Sequence, residues 1–291
     1  MSITGSEALA IVTGASGGMG RAFARQLGVV HDLVLTDASP SLVDFARDLE
    51  LEGFCVRAAI VGDFRSEEVM TELGRHANGG FTALAHTAGL PPSAYWRDII
   101  EVNFIATVRL LDILTPFVGP GTAAVLIASV AAYLAPVMPD VDAILAKPGS
   151  ASRLDEIELL LRRELGSSAD ETIGTLAYAL SKKKVMDLCE THAAPWGASG
   201  ARICSISPGM IYTQMGRKEA QLDVAAEAQV KSAPAGRWGT AAEIAAAGCF
   251  LLSPAAAFIT GTDLRVDGGA VGALNALDGP PWVDMLKHRT V

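Results

Sequence analysis

The 291-residue chain has little that points to disulfides, nucleic acid or a membrane. Its four cysteines, Cys55, Cys189, Cys204 and Cys249, include no close pair. That spacing fits reduced, buried thiols better than a disulfide framework or a zinc site, and no metal is expected. Basic residues are also scarce, with 23 Lys and Arg against 32 Asp and Glu, for a net charge of −9. A nucleic-acid binder would need a basic face. The one sustained basic run, residues 182–184, is too short to follow a phosphate backbone. The most apolar stretch, AAVLIASVAAYLAPV at 123–137, is too short and too broken to cross a bilayer. MSITGSEALAIV at the start lacks the basic region, apolar region and cleavage site of a secretion signal. The expectation is a cytoplasmic globular protein with neither membrane nor nucleic-acid partner.

Hydrophobic residues make up 50% of the chain and glycine is plentiful at 29, enough for a large core. Short apolar runs at 8–13, 32–37, 53–60, 81–87, 123–129, 201–207 and 263–267 read as strands. Helical patterns occupy 18–28, 41–50, 66–77, 94–118, 178–194 and 241–253. Continuous apolar strands alternating with helices predict a parallel sheet covered on both faces, since each crossover helix must pack back on the sheet. No repeat or low-complexity linker divides the chain, so a single doubly wound, Rossmann-type α/β domain of seven strands is expected. Residues 133–176 interrupt the rhythm as an insertion. Within it, Leu154, Ile157, Leu160, Leu161 and Leu165 recur at helical spacing. The pattern gives that helix an apolar face but leaves open whether it walls a cleft, forms a subunit contact or simply covers a surface patch.

AIVTGASGGMGRAFARQL joins the first strand to the first helix through Gly14, Ser16, Gly18, Met19 and Gly20. Glycines let the backbone approach a pyrophosphate, and the helix start offers free N–H groups and a positive dipole end. Asp37 lies 17 residues beyond Gly20, at the end of the second strand. A carboxylate there can accept hydrogen bonds from both ribose hydroxyls of adenosine and would repel a 2′-phosphate. No Lys or Arg occupies 15–17 or 38–40, so the expected cofactor is NAD rather than NADP. Further on, Tyr178 stands four residues before Lys182, one helical turn apart.

These features resemble the short-chain dehydrogenase/reductases. TGASGGMG is similar to that family's TGxxxGxG loop, HTAGL (86–90) to its NNAG segment, and YALSK carries its tyrosine and lysine. VNF (102–104), IASVAAY (127–133), SPGMIYT (207–213) and RVDGG (265–269) follow in family order. The long insert and the phrases TLAYALSK and HAAPWGASG resemble the 3α-hydroxysteroid dehydrogenase/carbonyl reductase branch.

The resemblance implies catalytic roles for Asn103, Ser129, Tyr178 and Lys182. Tyr178 would be the general acid/base, its pKa of about 10 brought toward neutrality by Lys182. Lys182 would also hold the nicotinamide ribose, Ser129 the substrate oxygen, and Asn103 a water leading to Lys182. Asp63 with the Phe64 backbone would face the adenine. Ala88, Gly89, Pro208, Gly209, Ile211 and Thr213 would border the cofactor, and 214–236 would form a substrate lid. His86 replaces an asparagine of the family pattern and reads as a neutral core histidine, while Lys183 and Lys184 read as surface residues. The implied activity is NAD(H)-dependent interconversion of a secondary alcohol and a ketone, bulky and cyclic, steroid-like or aromatic, by a homo-oligomer (dimer or tetramer). The alternatives are an aryl or primary alcohol dehydrogenase, a lipid-linked ketoreductase, and a non-catalytic NAD-sensing protein.

Overall fold

A computed structural model describes residues 8–146, 153–165, 170–222, 230–231 and 233–276. Strands β1 (Leu9–Thr13), β2 (Asp32–Asp37), β3 (Val56–Val61), β4 (Ala83–His86), β5 (Ala123–Ile127), β6 (Arg202–Pro208) and β7 (Asp263–Val266) form one sheet, ordered β3-β2-β1-β4-β5-β6-β7. Every pairing is parallel. Every residue of β1, β4 and β5 is buried, as a strand covered on both faces requires. Edge strand β3 instead alternates between exposed and partly buried residues.

Successive side chains of a strand point to opposite faces, and the core divides accordingly. Leu9, Ile11 and Val34 join one apolar cluster, Ala10, Val12, Leu33 and Leu35 the other. The second cluster is closed by α1 (Gly18–Leu27), α2 (Ser41–Leu51) and a later helix, Ala241–Leu252. The first is closed by α3 (Glu67–Ala77), by α4 (Trp96–Ile100) continuing into α5 (Ala106–Leu114), and by α8 (Asp170–Ala198). Between α4 and α5 the helix widens into a single π turn, Glu101–Ile105, where the sequence predicts one regular helix.

Strand order reverses beside β1, so the segments leaving the carboxyl ends of β1 and β4 diverge and open a crevice. The insertion lies on the side of α4 and α8. Its helices α6 (Pro139–Leu145) and α7 (Arg153–Leu165) bury Val141, Leu145, Ile157 and Leu161 in the same cluster as those two helices. Ion pairs hold the package. Arg97 of α4 meets Asp155 at 2.7 Å and also binds Glu158, and Lys184 of α8 meets Asp142 at 2.6 Å. The helix carrying Tyr178 starts at Asp170, eight residues before that tyrosine and inside the expected insertion. Ile173, Leu176 and Ala177 extend its apolar face, which accounts for the earlier start. Among the described residues, no helix is long and apolar enough to cross a membrane, and no cluster of ligating side chains is placed for a metal ion.

Candidate active site

The glycine loop leaves β1 in a conformation that only glycine tolerates well. Gly14 has φ +64°, and a Cβ there would lie 2.7 Å from the Ala88 nitrogen. A Cβ on Gly20 would lie 2.1 Å from the Gly14 carbonyl oxygen. Helix α1 then begins at Gly18 with no side-chain cap and no acid in its first turn. The amides of Gly18, Met19 and Gly20 thus belong to a helix end suited to an anion. Asp37 is fixed from both sides: Ser16 N donates to Oδ2 at 3.0 Å and Ser39 N to Oδ1 at 2.8 Å. This narrow, uncapped cradle with an acid beside it fits a dinucleotide.

Asp63 is placed differently from its neighbour. Its carboxylate receives the backbone and guanidinium N–H groups of Arg65, which hold it below the usual carboxylate range. Phe64 is buried, its ring centroid 5.3 Å from that of His86. On the far side of the crevice, Pro208 ends β6 and a Cβ on Gly209 would come within 2.8 Å of the Asp267 Cα. Ile211 bridges to Gly239. Thr213 Oγ1 accepts from Gly216 N at 3.1 Å, opening α9 (Gln214–Leu222), and the Thr213 methyl would touch a Cβ on Gly18 at 2.7 Å. The proposed lid is described only through α9 and residues 230–231 and 233–236; the rest lies outside the described residues.

Asn103 sits in the π turn and is buried. Its Oδ1 accepts from Leu90 N at 2.7 Å, and its Nδ2 donates to Leu90 O at 3.1 Å and to Ser181 Oγ at 3.3 Å. The amide thereby ties the segment after β4 to α8. Gly89 lies between Asn103 and Lys182, since a Cβ there would be 3.2 Å from both Asn103 Oδ1 and Lys182 Nζ. Ser129 follows β5, accepts from Ala131 N at 3.2 Å, and brings its hydroxyl near enough to the Tyr178 phenol to favour phenolate. Lys182 Nζ donates to the Ile127 carbonyl at 2.8 Å and lies 5.8 Å from the Tyr178 ring centroid. The two following lysines turn away: Lys183 pairs with Asp187, and Lys184 with Asp187 and Asp142.

Burial pushes the Tyr178 phenol up to about 12, the Glu219 carboxylate of α9 adds to the rise, and the Ser129 hydroxyl opposes it. Lys182 is pulled down to about 8 by burial, with Glu219 partly opposing. The sequence leads one to expect a phenol drawn toward neutrality by Lys182. In the protein alone the shift has the opposite sign, because desolvation and Glu219 outweigh the Ser129 hydroxyl, and the Lys182 ammonium is engaged by Ile127 O. Glu219 escaped the sequence reading because its polar, alanine-rich surroundings carry no motif. Only the packing of α9 brings its charge to the site.

The family model described as Enoyl-(Acyl carrier protein) reductase matches residues 166–271. A short-chain dehydrogenase/reductase of Alternaria brassicicola is 31% identical over 277 residues, covering 93% of this chain and 98% of its own. The chain belongs to the short-chain dehydrogenase/reductase family. The 3-alpha-hydroxysteroid dehydrogenase/carbonyl reductase of Comamonas testosteroni is a further relative, 32% identical over 72% of this chain and 86% of its own length. The crystal structure of the 3-alpha-hydroxysteroid dehydrogenase from Pseudomonas sp. B-0831 complexed with NADH superimposes with a TM-score of 0.69 at 26% identity, covering 94% of this chain and all of that one. As a short-chain dehydrogenase/reductase the protein is an oxidoreductase acting on CH–OH donors with a nicotinamide cofactor.

Proposed function

We propose that the protein is an NAD(H)-dependent oxidoreductase that interconverts a secondary alcohol and a ketone, with Tyr178 as general acid/base. One observation carries the proposal: Ser129, Tyr178 and buried Lys182 converge beside Gly89 in the crevice at the carboxyl ends of β1 and β4. When bound, the nicotinamide supplies or accepts the hydride. The protein must then move one proton. In oxidation Tyr178 Oη takes the proton of the substrate hydroxyl, and in reduction it returns one to the carbonyl oxygen. Ser129 Oγ donates to that oxygen and holds it in reach of Tyr178. The positive charge of Lys182 favours phenolate, and Asn103 holds the segment against which Lys182 packs. Gly14, Ser16, Gly18, Met19 and Gly20 cradle the pyrophosphate, Asp63 with Phe64 flanks the adenine, and Ala88, Pro208, Gly209, Ile211 and Thr213 border the nicotinamide half.

NAD preference is supported by Asp37, which is held to accept ribose hydroxyls. Arg21, the first basic residue of α1, is turned onto Ser16 O at 2.9 Å and over the Phe45 ring at 4.4 Å rather than toward a 2′-phosphate. A bulky cyclic substrate is supported by the likeness to the two 3α-hydroxysteroid dehydrogenases.

A panel of steroid, cyclic and aryl alcohols, followed at the nicotinamide absorbance band with NAD and with NADP, tests the proposal. Turnover with secondary alcohols is expected, faster with NAD. NADH binding without turnover on any of them would favour a cofactor sensor instead. Tyr178→Phe is expected to lower kcat by at least about 10²-fold while NADH affinity stays within about twofold. Retained turnover would remove Tyr178 from its role. Asp37→Ala should cut the NAD-over-NADP preference by about tenfold or more, measured as the ratio of kcat/KM values.

A further inference from the structure

A buried hydrogen-bonded chain crosses the molecule beneath the crevice. Thr13, the last residue of β1, places Oγ1 2.7 Å from His86 Nδ1, and His86 Nε2 lies 2.8 Å from Thr107 Oγ1. Thr107 Oγ1 in turn donates to the Asn103 carbonyl at 2.9 Å, and Ala88 N donates to Thr13 Oγ1 at 3.3 Å. Thr13, His86 and Thr107 are all buried.

Each hydroxyl has a single proton, and this sets the direction of the chain. Thr107 gives its proton to Asn103 O, so it must accept from His86, which makes Nε2 the protonated nitrogen. His86 Nδ1 is then an acceptor and takes the proton of Thr13, whose oxygen receives Ala88 N–H. Of the two neutral tautomers, only the Nε2–H ring satisfies all four bonds as they stand. Burial, with the Lys182 charge adding to it, keeps the imidazole neutral down to about pH 3. The Asn103 carbonyl belongs to the π turn, where Thr107 Oγ1 donates to it.

We propose that His86 is a positioning residue: acting through Thr107, it fixes the Asn103 carbonyl and with it the Leu90–Asn103–Lys182 arrangement, and through Thr13 it ties that arrangement to the cofactor cradle at Ala88. The proposal rests on the proton-transfer role given to Tyr178 and Lys182. The residue that departs from the family's asparagine pattern thus acquires a role of its own.

The test compares His86→Leu, His86→Gln, Thr107→Val and Thr107→Ser by steady-state kinetics, pH profile and NADH binding. Thr107→Val keeps the side-chain shape and removes the hydroxyl. It is expected to lower kcat about tenfold and displace the pH profile, with the alcohol KM and the NADH Kd within about twofold. Thr107→Ser should restore kcat to within about threefold. His86→Leu should match or exceed the Thr107→Val loss and also weaken NADH binding. His86→Gln, whose amide can both accept and donate, should recover most of the activity. Wild-type kcat and pH profile in Thr107→Val and His86→Leu, with only a lower Tm, would overturn the proposal by reducing the chain to a structural one. If His86→Leu fails to fold, the Thr107 pair decides. An active Tyr178→Phe would defeat the proton-transfer assignment instead, and it would do so whatever the Thr107 variants showed.

Discussion

The Lys182 ammonium lies 5.8 Å from the Tyr178 ring centroid, yet burial and the Glu219 carboxylate leave the phenol high in the protein alone. A carboxylate near a phenol disfavours phenolate, so removing it must lower the phenol pKa. Glu219→Gln is therefore expected to move the pH–rate profile for alcohol oxidation toward acid by about half a unit or more. Lys182, whose charge Glu219 supports, should titrate lower as well. An unmoved profile in the variant would show that Glu219 does not act on the proposed acid/base, Tyr178. At this scale the chemistry-bearing residue types were legible. Tyr178 and Lys182 are one turn apart in the chain, and Ser129 and Asn103 were singled out by the family resemblance. Glu219, His86 and Thr107 were not legible in the same way. Their effect comes from contacts as distant in sequence as Thr13 to His86, which no local pattern encodes.

Most elements could be read from apolar periodicity, because a strand buried on both faces must be a continuous apolar run and a crossover helix must present a stripe. The exceptions have physical causes. The π turn at Glu101–Ile105 adds one residue to a helix turn without changing composition, so 94–118 reads as a single helix. Helix α8 starts early because Ile173, Leu176 and Ala177 pack on the core, and because Gly174 admits the segment after β4: a Cβ there would lie 2.7 Å from Pro92 O. The apolar face of α7 was legible but its partner was not. That partner is the α4–α8 surface, where Ile157 is fully buried. Ile157→Ala should cost about 2–5 kcal/mol through lost burial and the cavity left behind. A denaturation midpoint close to wild type would mean that the insertion is not docked as described.

For the whole molecule, the buried imidazole predicts a stability that depends on pH. His86 is held neutral to about pH 3, whereas an unfolded histidine ionises near 6.5. Between those values the unfolded chain binds the proton and the folded one does not, so protonation favours unfolding. The His86 contribution is fully present above about pH 6.5 and is lost as pH falls toward about 3, with a slope of up to about 1.4 kcal/mol per unit. Denaturant titrations at pH 7, 6, 5 and 4 should show this slope in the wild type and a shallower one in His86→Gln. Equal slopes would assign the acid sensitivity to carboxylates such as Glu243, which Arg237 and Thr240 hold down at about 2.

The order of synthesis differs from the order of the sheet. Strand β1 leaves the ribosome first, yet it lies between β2 and β4 and pairs with both. Gly14 closes against Ala88, and Thr13 Oγ1 finds its partners in His86 and Ala88. A nascent chain that has not yet reached β4 therefore carries β1 with one bare strand edge and no Ala88 wall against Gly14. Such an edge is open to unwanted pairing until β4 arrives. A shortened chain ending before β4 would keep that edge permanently.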